Sequence, residues 1–136
     1  MGQDTPVSQD TPVSQDTPVK RETPAARVTP DDFFRTEIRV GRVLSAEPFP
    51  EARKPAYKLR IDFGPLGEKR SSAQITARYT PEQLAGRLVI AVTNFPPRQI
   101  ATFMSEVLVL GVPEAGSGDV ILLAPDAEVP PGTRVF

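Results

Sequence analysis

Between Phe33 and Arg98 the chain carries twelve lysines and arginines against six carboxylates, a balance suited to contacting a polyanion. Arg53 and Lys54 stand together, Lys58 and Arg60 follow two residues apart, and Arg70, Arg78 and Arg98 complete the series. Interleaved with them are Ser71, Ser72, Gln74, Asn94 and Ser105, neutral side chains that donate or accept hydrogen bonds. Cations spread over one curved face track a phosphate backbone, giving salt-dependent affinity with little base readout. The bland alternative is the charged exterior that any soluble sheet needs. Beyond Gln99 the balance reverses, with Arg134 alone against Glu106, Glu114, Asp119, Asp126 and Glu128. A net charge of −1 thus conceals a basic segment followed by an acidic one. That asymmetry predicts one face for a polyanion and another for something else.

Other chemistries are excluded by residue type. The 136 residues contain no histidine and no cysteine. The usual near-neutral general base, thiolate nucleophiles, disulfides and zinc–thiolate sites are therefore absent. Ser71-Ser72 has no histidine to activate it. We expect no enzyme, no metal and no cofactor. No apolar run reaches the ~20 residues of a membrane span. The N-terminus lacks the basic-then-apolar order of a secretory signal. The expectation is a cytoplasmic protein without membrane insertion.

The elements that must position these residues are short. Residues 1–30 repeat with a period of six around Thr-Pro, at Thr5-Pro6, Thr11-Pro12, Thr17-Pro18, Thr23-Pro24 and Thr29-Pro30. Sparse apolar residues and frequent proline predict a disordered, extended tail. The globular part is expected over residues 31–136, opening on an aspartate N-cap (Asp31 or Asp32) before Phe33-Phe34. Ile38, Val40, Val43 and Leu44 mark a first strand, with Gly41 as its expected bulge. Tyr57, Leu59, Ile61 and Phe63 alternate with Lys58, Arg60 and Asp62, the period of a half-buried strand. A turn at Gly64-Pro65-Leu66-Gly67 makes residues 68–75 its hairpin partner. Thr80-Pro81-Glu82-Gln83 spells a capped helix start, with Gly86 ending the helix after barely two turns. Apolar strands follow at residues 88–92, 107–110 and 120–123. An all-β fold with short helices results. A five-stranded barrel with a helix before its fourth strand matches the oligonucleotide/oligosaccharide-binding (OB) architecture.

Taken in order, five stretches resemble a known family. They are Ile38-Arg39-Val40-Gly41-Arg42-Val43, residues 53–64, Arg70-Ser71-Ser72-Ala73-Gln74-Ile75-Thr76, Asn94-Phe95-Pro96-Pro97-Arg98-Gln99-Ile100, and residues 103–111. Together they resemble the tRNA-binding OB domain appended to methionyl-tRNA synthetases. They are more similar to its free-standing relatives, the export-related CsaA chaperones. Synthetase-appended domains typically carry Ser-x-Gly-Met where this chain has Ser105-Glu106-Val107-Leu108. The resemblance covers residues 31–136 and none of the repeats. It implies a homodimer of OB barrels and two partner classes, tRNA and unfolded or exported polypeptide.

Within that frame tRNA contact is assigned to Arg53, Lys54, Lys58, Arg60, Arg70, Ser71, Ser72, Gln74, Arg78, Asn94, Arg98 and Ser105. Asn94 has a competing role as a turn cap. Phe103, Met104 and Glu106 are the alternative peptide contacts, although Glu106 is better suited to pairing with a nearby arginine. Phe49 and Phe95 are expected in the core or a dimer seam, and Phe33-Phe34 at a dimer interface. With few aromatics and no tryptophan, base stacking is a poor basis for recognition. Shape and phosphate recognition of structured tRNA fits better.

Overall fold

A computed structural model describes residues 22–136. The repeats within residues 1–21, on which most of the expected tail falls, lie outside the described residues. Residues 22–29 have no regular secondary structure and are exposed. The last repeat does more than extend the chain. Thr29 caps helix α1 (Pro30–Phe34), accepting a hydrogen bond from the Asp32 amide while the Asp32 carboxylate accepts one from the Thr29 amide. The expected aspartate N-cap is therefore corrected: Asp32 is the third helical residue of a capping box. Thr80 and Gln83 repeat the arrangement at α2 (Pro81–Leu84), as the sequence predicted. That helix is a single turn rather than two, with Gly86 just beyond it at φ 87°.

Strands β1 (Ile38–Pro48), β2 (Tyr57–Asp62), β3 (Glu68–Ala73) and β4 (Leu88–Val92) follow in the predicted order. Next come β5 (Arg98–Ile100), β6 (Phe103–Ser105), β7 (Leu108–Val109), β8 (Gly111–Pro113) and β9 (Val120–Leu122). The principal sheet is antiparallel and five-stranded, ordered β3-β2-β1-β4-β7, while β5-β6 and β8-β9 form separate hairpins. It curls into a nearly closed OB barrel. The bulge of β1 falls between Val43 and Ser45, where Leu44 has no partner, and not at Gly41. Gly41 serves the curvature differently. A Cβ there would lie 2.6 Å from Ile61 and 2.7 Å from Phe63, so at this position β1 passes the core without a side chain.

The inward faces build the core as the period-two pattern requires. Leu59, Ile61 and Phe63 are fully buried with Val43, Leu84 and Val89. Tyr57 donates to the Tyr79 carbonyl at 2.7 Å, and the Tyr79 hydroxyl accepts from the Leu122 amide at 3.0 Å. A smaller cluster of Phe49, Ala56 and Phe103 packs against Ala52 and Ile100. Phe49 is therefore core, as expected. Phe95 is 47% exposed and belongs to no core cluster.

One ionisable strap ties the start of β1 to the end of β4. Glu37 accepts from Arg39 at 2.7 Å and from Thr93 at 3.0 Å. The Arg39 hydrogen bond, aided by Thr93, holds the Glu37 carboxyl below its ordinary 4.5. A depressed folded value stabilises the protein above the unfolded value, and the contribution is lost as pH falls through the folded one. Glu37→Gln is expected to cost about 1 kcal/mol near pH 6, since the site is partly exposed. Urea unfolding at pH 6 and pH 3 checks this: the variant should lose less stability on acidification than the wild type. Equal losses in both proteins would remove Glu37 as a source of acid sensitivity.

Candidate nucleic-acid interface

The structure divides the predicted contact residues into four groups. Arg53, Lys54, Ser72, Gln74 and Arg98 meet around one groove of about 750 Å³. Arg53 and Lys54 lie in the β1–β2 loop, residues 49–56, and Arg98 opens β5 on the opposite rim. Ser72 is the last but one residue of β3 and Gln74 lies just beyond the strand, both lining the groove. In OB barrels the β2–β3 face and the loops after strands one and four are the binding elements. The small Phe49–Ala56–Phe103 cluster explains why the rims hold position. It packs residues of the β1–β2 loop against Phe103 and Ile100 of the β5–β6 hairpin. Ala101, at a left-handed φ of 53°, forms that hairpin's tip, where its carbonyl accepts from the Gln99 side chain.

The second group is a cationic shelf on the outer face of β2 and β3. The Lys58 ammonium lies 4.9 Å from the Phe49 ring centroid and 5.7 Å from that of Phe103. Arg70 covers Phe103 at 5.3 Å. Arg60 stands opposite Arg70 across the β2–β3 ladder. Two like charges so placed repel, and the neighbouring carboxylates relieve them. Arg60 grips Glu68 through two bonds of 2.6 and 3.0 Å, holding the Glu68 carboxyl below its ordinary range. That pairing leaves Arg60 less free for a ligand than Lys58.

The third group closes the barrel and leaves the contact set. Ser71 is fully buried, and its hydroxyl donates to the Val107 carbonyl at 3.2 Å. It pairs with Leu59 across the ladder, on the inner face, which is why it cannot meet a ligand. The Ser105 hydroxyl accepts from the Ser72 amide at 3.0 Å, and the Glu106 carboxylate from the Arg70 amide at 2.8 Å. The Glu106 amide in turn donates to the Arg70 carbonyl at 2.8 Å. Side chains of residues 105–106 thus satisfy β3 where a ladder partner would stand. Of the alternative peptide contacts, Phe103 is buried and Glu106 is occupied in this seam. Met104 is half-buried, as is Glu106, and of the two only Glu106 is tied to β3.

The fourth group lies elsewhere. Arg78 pairs with Glu114 at 3.3 Å, outside the groove. Asn94 accepts from the Glu37 amide and donates to the Arg35 carbonyl, both at 2.8 Å. Its amide ties α1 to the end of β4 rather than capping its own turn. Phe33 and Phe34 pack edge to face at 5.1 Å and are 41% and 45% exposed.

Charge is also redistributed. Arg42 pairs with Glu128, Arg70 with Glu106 and Arg78 with Glu114, so the acidic segment folds back onto the basic one. The expectation of two separate faces is corrected to that extent. Among the described residues, no carboxylate lies within ion-pair distance of Arg53, Lys54, Lys58 or Arg98. The residues of the groove's apolar floor lie outside the predicted contact set. Ile75, Leu108, Val109, Val120 and Leu122 supply it, while Glu51 is the one carboxylate of its lining among the described residues. The alternation of Val120 and Leu122 was the available signal, but nothing local tells a core strand from a groove floor.

Comparison with known proteins places this geometry. Residues 38–134 match the family described as a putative tRNA binding domain. The chain is 43% identical over 105 residues to methionine–tRNA ligase 1 of Sorangium cellulosum, a match spanning 77% of this chain and 15% of the ligase. The fold superposes on the crystal structure of the chaperone CsaA from Bacillus anthracis with a TM-score of 0.75 and 56% identity, covering 82% of this chain and all of that one. The CsaA chaperone of Picrophilus torridus gives 0.75 and 50%, covering 81% of this chain and all of that one. The chain belongs to the tRNA-binding domain family and, within it, to the CsaA proteins.

Proposed function

We propose that the protein holds structured tRNA in the groove between the β1–β2 loop and the β5–β6 hairpin, without catalysing a reaction on it. The observation that carries this reading is the convergence of Arg53, Lys54 and Arg98, free of carboxylate partners among the described residues, on one groove. These cations take phosphates, Ser72 and Gln74 offer hydrogen bonds to phosphate or ribose, and Lys58 and Arg70 extend the positive shelf. No aromatic ring lines the groove, so recognition rests on shape and backbone charge. With tRNA as partner the site of action is the cytoplasm. Among the described residues, no helix is long and apolar enough to cross a membrane. The exposed Phe33–Phe34 pair extends the proposal to a homodimer, and a monomeric mass by sedimentation at micromolar concentration would remove that part.

A second reading is favoured by the groove's apolar floor and the CsaA relationship. The same groove would hold an unfolded or exported polypeptide, with Leu108, Val109 and Val120 taking apolar side chains. Four to five phosphate contacts predict that log K for tRNA falls with log salt with a slope of about −4. Excess tRNA should also displace a fluorescent unfolded client. Binding indifferent to salt would sink the tRNA reading. A client that stays bound under saturating tRNA would separate the two sites.

A further inference from the structure

We propose that the depression lined by Arg78, Tyr79, Gln83, Arg87 and Ile121 is a second anion site that takes a phosphate group. It measures about 720 Å³ and shares no lining residue with the groove. Strand β9 separates the two, since consecutive residues of a strand point to opposite faces. Val120 and Leu122 line the groove, and Ile121 lines the depression.

The lining is built of donors. The Arg87 guanidinium lies 5.1 Å from the centroid of the Tyr79 ring. That ring is itself fixed, because the Tyr79 hydroxyl accepts from the Leu122 amide and its carbonyl accepts from Tyr57. A guanidinium resting over a held ring loses little further freedom when it binds an anion. Among the described residues, no carboxylate pairs with Arg87. The Gln83 side-chain carbonyl is already used by the Thr80 amide, which leaves its NH₂ as a donor. Among the described residues, Arg78 meets one acid, Glu114, through a single contact of 3.3 Å, with both side chains more than 40% exposed. A contact of that kind contributes little and yields to a doubly charged phosphate.

The phosphate could belong to an RNA backbone or to a small phosphorylated molecule. Only the RNA source rests on the tRNA reading above. Titration with inorganic phosphate at constant ionic strength, followed by NMR at Arg87 Nε and the Gln83 amide, tests the site itself. Saturable shifts are expected, lost in Arg87→Gln and retained in Arg87→Lys. Glu114→Gln removes the competitor and should tighten phosphate binding about threefold. Thermal melts of each variant distinguish lost binding from lost folding, and Arg78→Gln supplies a variant that leaves the Arg87–Tyr79 contact in place. For the RNA source, Arg78→Gln with Arg87→Gln should flatten the tRNA salt slope by about 1.8 while the groove cations stay in place. An unchanged slope with intact phosphate shifts assigns the site to a small phosphorylated ligand. The absence of saturable shifts in both the wild type and Glu114→Gln overturns the proposal.

Discussion

Replacing Arg53, Lys54 and Arg98 together by alanine is expected to weaken tRNA binding about 500-fold at roughly 0.1 M salt. Each phosphate contact contributes about 0.9 to the slope of log K against log salt, so one decade of salt below 1 M is worth about 0.9 log units per contact. Three contacts give a loss of about 2.7 log units, and the slope should flatten by the same amount. The fold should not suffer. All three side chains are exposed, and none makes an ion pair among the described residues. Filter binding over a salt series reads both quantities, and melting temperature serves as the control. A variant that binds tRNA within a few-fold of wild type would move the interface off this groove. Arg60→Ala is the internal comparison. Its guanidinium is already held by Glu68, so it should change the slope far less than any groove residue.

Gly132→Ala is expected to cost roughly 3 kcal/mol, or about 15 °C in melting temperature for a domain of this size. Gly132 has φ 93°, which costs an L-residue about 1–2 kcal/mol. A Cβ there would also stand 2.5 Å from the Phe63 carbonyl oxygen and 2.9 Å from Pro65. A backbone carbonyl cannot swing aside as a flexible side chain does. The position is central to how the chain ends. The Gly132 amide donates to the Val40 carbonyl at 2.7 Å, and its carbonyl accepts from Arg39 at 2.9 Å. Residues 132–135 thereby run beside the first half of β1, where β2 does not reach. Gly67→Ala isolates the contact from the dihedral. Gly67 has φ 85° but nothing within 4 Å of its would-be Cβ, so only the conformational cost of about 1–3 kcal/mol applies. Equal losses in the two variants, measured by chemical denaturation, would show that the close approach contributes nothing.

How much was legible depends on how far apart the interacting residues lie in the chain. Alternation over Tyr57, Leu59, Ile61 and Phe63 gave β2 and its inward face, because a half-buried strand records its burial in every second residue. The β5–β6 hairpin left no such record. Its strands are three residues each, and Ala101-Thr102 at the tip carries no Asn-Gly or Asp-Gly signature. The β1 bulge was expected at the glycine but falls at Leu44, since register is set by the partner strand and not by the bulged residue alone. Ser71 and Ser72 look equivalent in sequence. The pleat turns Ser71 into the core and leaves Ser72 on the groove.

The basic series between Arg35 and Arg98 is legible in the sequence as a set of cations, but not which of them are free. Composition excluded histidine and cysteine chemistry, and local grammar located the Thr80 cap and the alternating β2. Those conclusions depend on residue type or on neighbours within one turn or one strand. Tertiary structure decided the rest. It paired Arg42 with Glu128 and, more loosely, Arg78 with Glu114, put Ser105 and Glu106 into the barrel seam, and brought Arg53, Lys54 and Arg98 around one groove. A charge's availability depends on what lies within about 4 Å of it in space. Barrel closure sets those distances between residues remote in the chain, so no local pattern encodes them.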